Sequence, residues 1–224
     1  MRVIVGWILS VAPIGVFALS LDLGARAGVN AAGALVYYVV LSVVLGLVLI
    51  GLMEIVGAVG GGVSLRRFAR AAAPAQAVAI SARSSLAALP ALVRGADEGL
   101  GLPPTITGFF LPLAASTFRA GSPIVSVGGL LFMARVYGVP VTSLQLGELV
   151  AMAMLLSFSI PGVPNGSVLV MAPILAAAGI PAQALGLLLA LETIPDMART
   201  AANVTGDMAA ASVLGRLMLR RSSP

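Results

Sequence analysis

The sequence predicts an all-α polytopic membrane protein, and three observations carry that expectation. Of 224 residues, 59% are hydrophobic and only 9% charged, with a mean hydropathy of +1.09. Soluble domains are roughly 45–50% apolar and about 25% charged. Uncharged runs cover Val3–Leu21, Ala27–Met53, Gly99–Phe118 and Leu149–Leu191, of 19, 27, 20 and 43 residues. A spanning helix needs about 20. The third observation is what is missing. With no Cys and no His, disulfides, zinc sites, thiol nucleophiles and imidazole catalysis are excluded. All thirteen cations are Arg, which excludes a P-loop, a Schiff base and a Ser-Lys dyad. No enzyme is expected, nor any organic cofactor. The net charge of +5 and pI near 11.0 are read with the apolar fraction as signs of a bilayer, not of nucleic acid.

Residues 1–62 read as two transmembrane helices. The first covers Val3–Leu21 with Pro13 inside it, and the second covers Val29–Met53 and ends in Gly57–Gly62. Asp22–Gly28 joins them. Although Arg2 precedes the first run, that run is too long for a secretory leader and feeds another span.

Residues 63–98 read as a re-entrant hairpin. The basic cluster Arg66, Arg67 and Arg70 marks a cytoplasmic loop. Two short apolar arms, Ala71–Ile80 and Leu86–Val93, then flank a polar apex at Ser81–Ser85. Residues 99–138 read as a broken transmembrane helix, opened by Pro103-Pro104 and unwound where Phe118-Arg119-Ala120-Gly121-Ser122-Pro123 falls at mid-membrane.

Residues 143–180 read as a second re-entrant hairpin. Its tip lies within Ser157–Ser167, where Pro161, Gly162, Pro164 and Gly166 forbid a continuous helix. Residues 181–224 supply the last transmembrane helix and a basic tail with Arg216, Arg220 and Arg221. A hairpin followed by a polar-centred helix thus occurs twice, the sequence pointer to a transporter with inverted repeats and a midplane site. The arginines agree with this topology. Arg2, Arg66, Arg67, Arg70, Arg94, Arg216, Arg220 and Arg221 fall inside, so the C-terminus is expected to be cytoplasmic. Only Arg26 and Arg135 fall outside, and Arg83, Arg119 and Arg199 lie at membrane depth.

The last helix carries the densest polar signal. At about 100° per residue, Glu192, Asp196, Arg199, Asn203 and Asp207 share an arc of roughly 80°. A charge at the bilayer centre costs about 2.5–3.5 kcal/mol on insertion scales, so this stripe must face protein, water or ligand. One reading is an internal Asp196–Arg199 pair that fixes helix packing. The other is a binding site, with spare negative charge for a cation beside an Arg suited to a carboxylate. The hairpin tips would add free backbone N–H and C=O groups to it.

These residues carry a family resemblance. Arg83-Ser84-Ser85 before Leu89-Pro90, Leu111-Pro112-Leu113, the Gly162-Val163-Pro164 tip and the run from Asp196 to Asp207 resemble the glutamate transporter family of dicarboxylate/amino acid:cation symporters. Ala12-Pro13-Ile14-Gly15-Val16-Phe17-Ala18 resembles the start of that family's fifth transmembrane helix. The resemblance implies a glutamate-transporter-like transport core with an elevator-like movement, in a cell inner or plasma membrane. It implies that Arg199 pairs with the side-chain carboxylate of an acidic amino acid or dicarboxylate, and that Asp196 holds an amino group. Thr200 and Asn203 would bind polar groups of the substrate, Ser84-Ser85 and Gly162-Val163 would close over it, and Ser122 would lie nearby. Asp207 with Asn203 would bind sodium, the coupling ion, and Ser116 and Ser157 would lie near a second.

The sequence departs from the family in three places. Phe118-Arg119-Ala120-Gly121-Ser122 stands where the family has Asn-Met-Asp-Gly-Thr, so a fixed cation replaces residues that help to hold sodium. Leu86 takes the place of a third tip serine, and Pro195 is expected to kink the last helix. Arg119 either lies beside Asp207 in place of a bound cation, leaving a sodium-independent exchanger or proton-coupled carrier, or else snorkels or pairs with Glu192. The resemblance covers about the second half of a full-length member. The chain therefore reads as a fragment, a late start or half of a split transporter, a homotrimer only if the missing helices are supplied. A non-transporting subunit is the reading from another class.

Overall fold

The computed structural model describes Gly33 and residues 35–160 and 165–221. The expected first span, its Pro13 and the 12–18 motif lie outside them, as do Arg2, Arg26, Gly162 and Val163. The described residues form helices and connecting turns, without strand. In chain order these are α1 (Leu35–Gly61), α2 (Leu65–Ala82), α3 (Ser85–Arg94), α4 (Leu111–Thr117), α5 (Gly121–Val136), α6 (Ser143–Ser157), α7 (Gly166–Ala177), α8 (Gln183–Leu191) and α9 (Thr193–Arg221). Wider π-helical turns at Gly95–Leu100 and Ile106–Phe110 extend α3 and lead into α4.

Helix α1 is long and apolar enough to cross a bilayer, and so is the segment Ile106–Val136 that contains α4 and α5. α1 ends at Gly61, inside the Gly57–Gly62 run where the sequence placed its end. It continues past Glu54 because its glycines lie against α9. Gly46 faces Ala198, Gly57 faces Phe68 and Ala209, and Gly61 faces Ser212, so the two helices run parallel at close approach. Ser212 Oγ donates to the Gly57 carbonyl at 3.0 Å, and Arg216 Nη1 donates to the Val59 carbonyl at 2.9 Å. A Cβ on Gly57 would lie 2.9 Å from the Ala209 Cα and closer still to the Phe68 ring. Gly57→Val is therefore expected to destabilise the chain by about 1–3 kcal/mol, read as a lower thermal midpoint in detergent. An unchanged midpoint would mean that α1 is not seated on α9.

The basic cluster expected in a loop starts a helix instead. Ser64 accepts a hydrogen bond from the Arg67 N–H at 3.3 Å and caps α2, so Arg66, Arg67 and Arg70 lie in its first turns. The chain reverses at Arg83, whose φ of 49° is left-handed, and Ser84 caps α3 through the Ala87 N–H. α3 and the turn after it then run back along α2, with Gly95 and Gly99 against Ala71. The segment thus forms an antiparallel helical hairpin with both bases at the end where α1 finishes. On the other side of the molecule, α6 begins with a Thr142–Gln145 capping box and packs on α7 and α5.

Two apolar clusters hold these halves. Phe68, Ala75, Ala79, Leu92 and Leu111 join α2, α3 and α4 to the later part of α9. Tyr38, Leu130, Met133, Leu149, Met171 and Leu188 join the start of α1 to α5–α8. α9 therefore runs between both hairpins, and its residues 199–209 are all buried. That is why a polar stripe on it has no water-facing side.

Candidate functional site

The site is built where three chain breaks meet α9. The first is the hairpin tip at Arg83–Ser84. The second is the expected unwinding in the third span: α4 ends at Phe118 in extended conformation and α5 begins at Gly121. The third precedes α7, where Asn165 has a left-handed φ of 59°. Each break frees backbone polar groups near the stripe.

Asn203 answers one of them. Its Oδ1 accepts the Gly121 N–H at 2.8 Å, which caps α5 from the side of α9. A Cβ on Gly121 would lie 2.8 Å from the Arg199 carbonyl, so only a glycine lets these backbones come so close. Thr200 is turned onto its own helix, its hydroxyl donating to the Asp196 carbonyl at 2.7 Å.

Arg199 is 3% exposed and lies between two acids. One guanidinium nitrogen is 2.5 Å from Asp196 Oδ1, and the same nitrogen is paired with Glu192. The internal Asp196–Arg199 pair weighed from the sequence is thus present, with a second acid added. Tyr38 of α1 stacks on Phe132 at 4.8 Å between centroids and reaches Glu192 with its hydroxyl. Pro195 sits in the first turn of α9, and the helical hydrogen bonding is interrupted one turn earlier, at Glu192, because proline offers no N–H to the preceding turn; the backbone of Glu192 itself stays in the right-handed helical region.

The tips close over Asp196. The Asn165 N–H donates to Asp196 Oδ2 at 3.2 Å, while Arg83 Nη1 donates to Asn165 Oδ1 at 3.3 Å and lies 4.0 Å from Asp196 Oδ2. Ser85, Ser122 and Ser167 line the small cavity beneath, with Arg119, Arg199 and Asn203. Its volume is about 20 Å³, room for a water but not for an amino acid.

Arg119 is 3% exposed, so it does not snorkel, and Glu192 is occupied by Arg199. Its Nε and Nη2 face the Ile160 and Ser116 carbonyls at 3.5 and 3.4 Å, leaving Nη1 without a partner among the described residues. No ion pair joins Arg119 to Asp207 among the described residues. Both Asp207 oxygens are buried and lack hydrogen-bond partners among the described residues.

Ser116 and Ser157 are not brought to Asp207 by any contact. Their hydroxyls donate to the carbonyls of Leu113 and Met154 on their own helices, at 2.7 and 2.6 Å. Ser84 is likewise committed to its cap. The spare negative charge expected from α9 alone is offset, since Arg83 and Arg119 line the same cavity. Sequence reasoning missed Asn165, Ser167 and Tyr38 as site residues. The left-handed Asn before Gly166 was the available signal for the first; the other two carry none.

The described residues form a helical assembly around a buried ion-pair network, with two segments long and apolar enough to cross a membrane. Comparison with known proteins agrees. Residues 1–217 match the model described as the sodium:dicarboxylate symporter family. The proton/sodium-glutamate symport protein of Bacillus subtilis is 31% identical over 219 residues, 95% of this chain and 49% of that protein. The proton/glutamate-aspartate symporter of Escherichia coli is 34% identical over 139 residues, 62% of this chain and 32% of that protein. The human neutral amino acid transporter A is 34% identical over 141 residues, 63% of this chain and 26% of that protein. The chain belongs to the sodium:dicarboxylate symporter family. It spans about half the length, or less, of the curated relatives that it matches.

Proposed function

We propose that the chain is the substrate-binding part of a secondary transporter of acidic amino acids or dicarboxylates, coupled to a cation. The observation that supports it is Arg199, a fully desolvated guanidinium held by two acids beneath two hairpin tips. An incoming carboxylate would take the place of Asp196 or Glu192 on Arg199, and the freed Asp196 would receive the substrate's ammonium group. Ser85, Ser122 and Asn203, with the backbone of the 161–164 tip, would line the opened site. The hairpins would re-enter the bilayer, with the arginine-rich base cytoplasmic. The names of the bacterial relatives support glutamate or aspartate as the substrate, and the family description supports sodium as the coupling ion.

A second reading within transport is favoured by Arg119. A permanent cation beside Asp207 would leave one fewer sodium site, or none, in an exchanger or proton-coupled carrier.

Thermal stability of the purified chain with L-aspartate, with and without sodium, tests both. Stabilisation only in sodium supports the symporter; stabilisation without it supports the second reading. No stabilisation in either condition removes both and leaves a non-transporting subunit. An equal effect of L-serine would move the substrate to the neutral class named for the human relative.

A further inference from the structure

The site around Arg199 makes no use of the arginines at the far end of the first hairpin. A groove of about 500 Å³ opens there between the base of α2 and the base of α3, a size typical of ligand sites. Arg66, Arg70 and Arg94 are exposed along it. Arg67 joins them and is fixed in place, its Nε donating to the Gly99 carbonyl at 2.8 Å. Glu98 is the one acid on the rim among the described residues, so four arginines less one glutamate leave three positive charges. None of these arginines lies within ion-pair distance of a carboxylate among the described residues.

The groove floor is apolar, made of Ala71, Pro74 and Ala91. Ser64 on the groove's rim lies three residues beyond the end of α1 at Gly61, and a largely apolar helix of 27 residues, if it spans a bilayer, would set this end near the lipid headgroups. Arg216 adds its charge at the same end. Guanidinium forks match phosphate oxygens, and uncompensated basic clusters at helix bases suit anionic headgroups.

We propose that this groove binds the phosphodiester headgroup of an anionic phospholipid. The phosphate lies among Arg66, Arg70 and Arg94, and the start of an acyl chain covers the alanine and proline floor. That floor is why a lipid, and not free phosphate, is the occupant: a soluble anion gains nothing from it.

The test is a titration of fluorescent phosphatidylglycerol into the detergent-purified chain. Arg66→Gln, Arg70→Gln and Arg94→Gln are each expected to weaken binding about five-fold, the loss of one surface arginine's attraction. Glu98→Gln is expected to tighten it by a similar factor, an effect that a misfolded variant cannot imitate. Phosphatidylcholine and inorganic phosphate should not displace the probe. If inorganic phosphate displaces it as well as unlabelled phosphatidylglycerol does, the lipid assignment is wrong. If all four variants bind like the parent chain, the groove is not the site. Neither result depends on L-aspartate, so the proposed function stands or falls separately.

Discussion

Arg199→Gln is expected to abolish stabilisation by L-aspartate and to lower the stability of the unliganded chain by about 3–5 kcal/mol. The second effect follows from burial. Asp196 and Glu192 are 4% and 2% exposed, and removing their shared cation leaves two like charges together in an apolar interior. Glutamine is two heavy atoms smaller than arginine, so a smaller packing loss adds to the electrostatic one. Arg199→Gln combined with Glu192→Gln should recover part of the stability while binding stays lost. Recovery of binding in the double variant would show that Arg199 only neutralises Glu192, and the pair would then be a packing device.

Arg119→Met is expected to make the chain depend on sodium. Without Arg119, Asp207 lacks its nearby cation; an uncompensated charge at that depth costs about 2.5–3.5 kcal/mol. Sodium can restore what the arginine supplied, so the variant's thermal midpoint should rise with sodium while the parent's hardly changes. L-aspartate titrations in parallel should show a sodium response at least about ten-fold steeper in the variant, a difference of about 1.4 kcal/mol. Identical sodium responses in the two proteins would mean that Arg119 takes no ion's place. Asp207→Asn in the Arg119→Met background should remove the new sodium response, which ties the effect to this pair.

Much of this arrangement was legible in the sequence because it rests on local signals. The apolar runs and the all-helical class follow from hydropathy alone. Proline and glycine marked the break between α4 and α5. The five polar residues of the stripe were placed on one arc by spacing, and all five are buried. Pro195 reads as a kink, and the helix is indeed interrupted one turn before it, at Glu192, whose backbone stays in the right-handed helical region. The place that misled is one where packing overrides a local signal. Arg66, Arg67 and Arg70 read as a loop, yet Ser64 caps a helix that contains them and packs along α9. Long-range pairs are illegible for another reason: no spacing rule joins Arg83 to Asn165, 82 residues away, or Gln76 to Thr205, 129 away. The family resemblance implied roles for Asp196 and Arg199, but nothing in it pointed to Glu192 as a second acid on Arg199.

The seam between α1 and α9 also decides what can move. Its glycines leave no side-chain layer in which the two helices could slide, and hydrogen bonds from Ser212 and Arg216 lock their register. α1 is therefore a rigid handle on the helix that carries Asp196, Arg199 and Asp207. On the side away from that seam it presents Val36, Val40, Val44, Leu47, Val48, Leu52 and Ile55, with Tyr37 exposed at its first turn. Any displacement of the charged site along the membrane normal must carry α1 with it, and the drag it meets is set by whatever touches those valines and leucines.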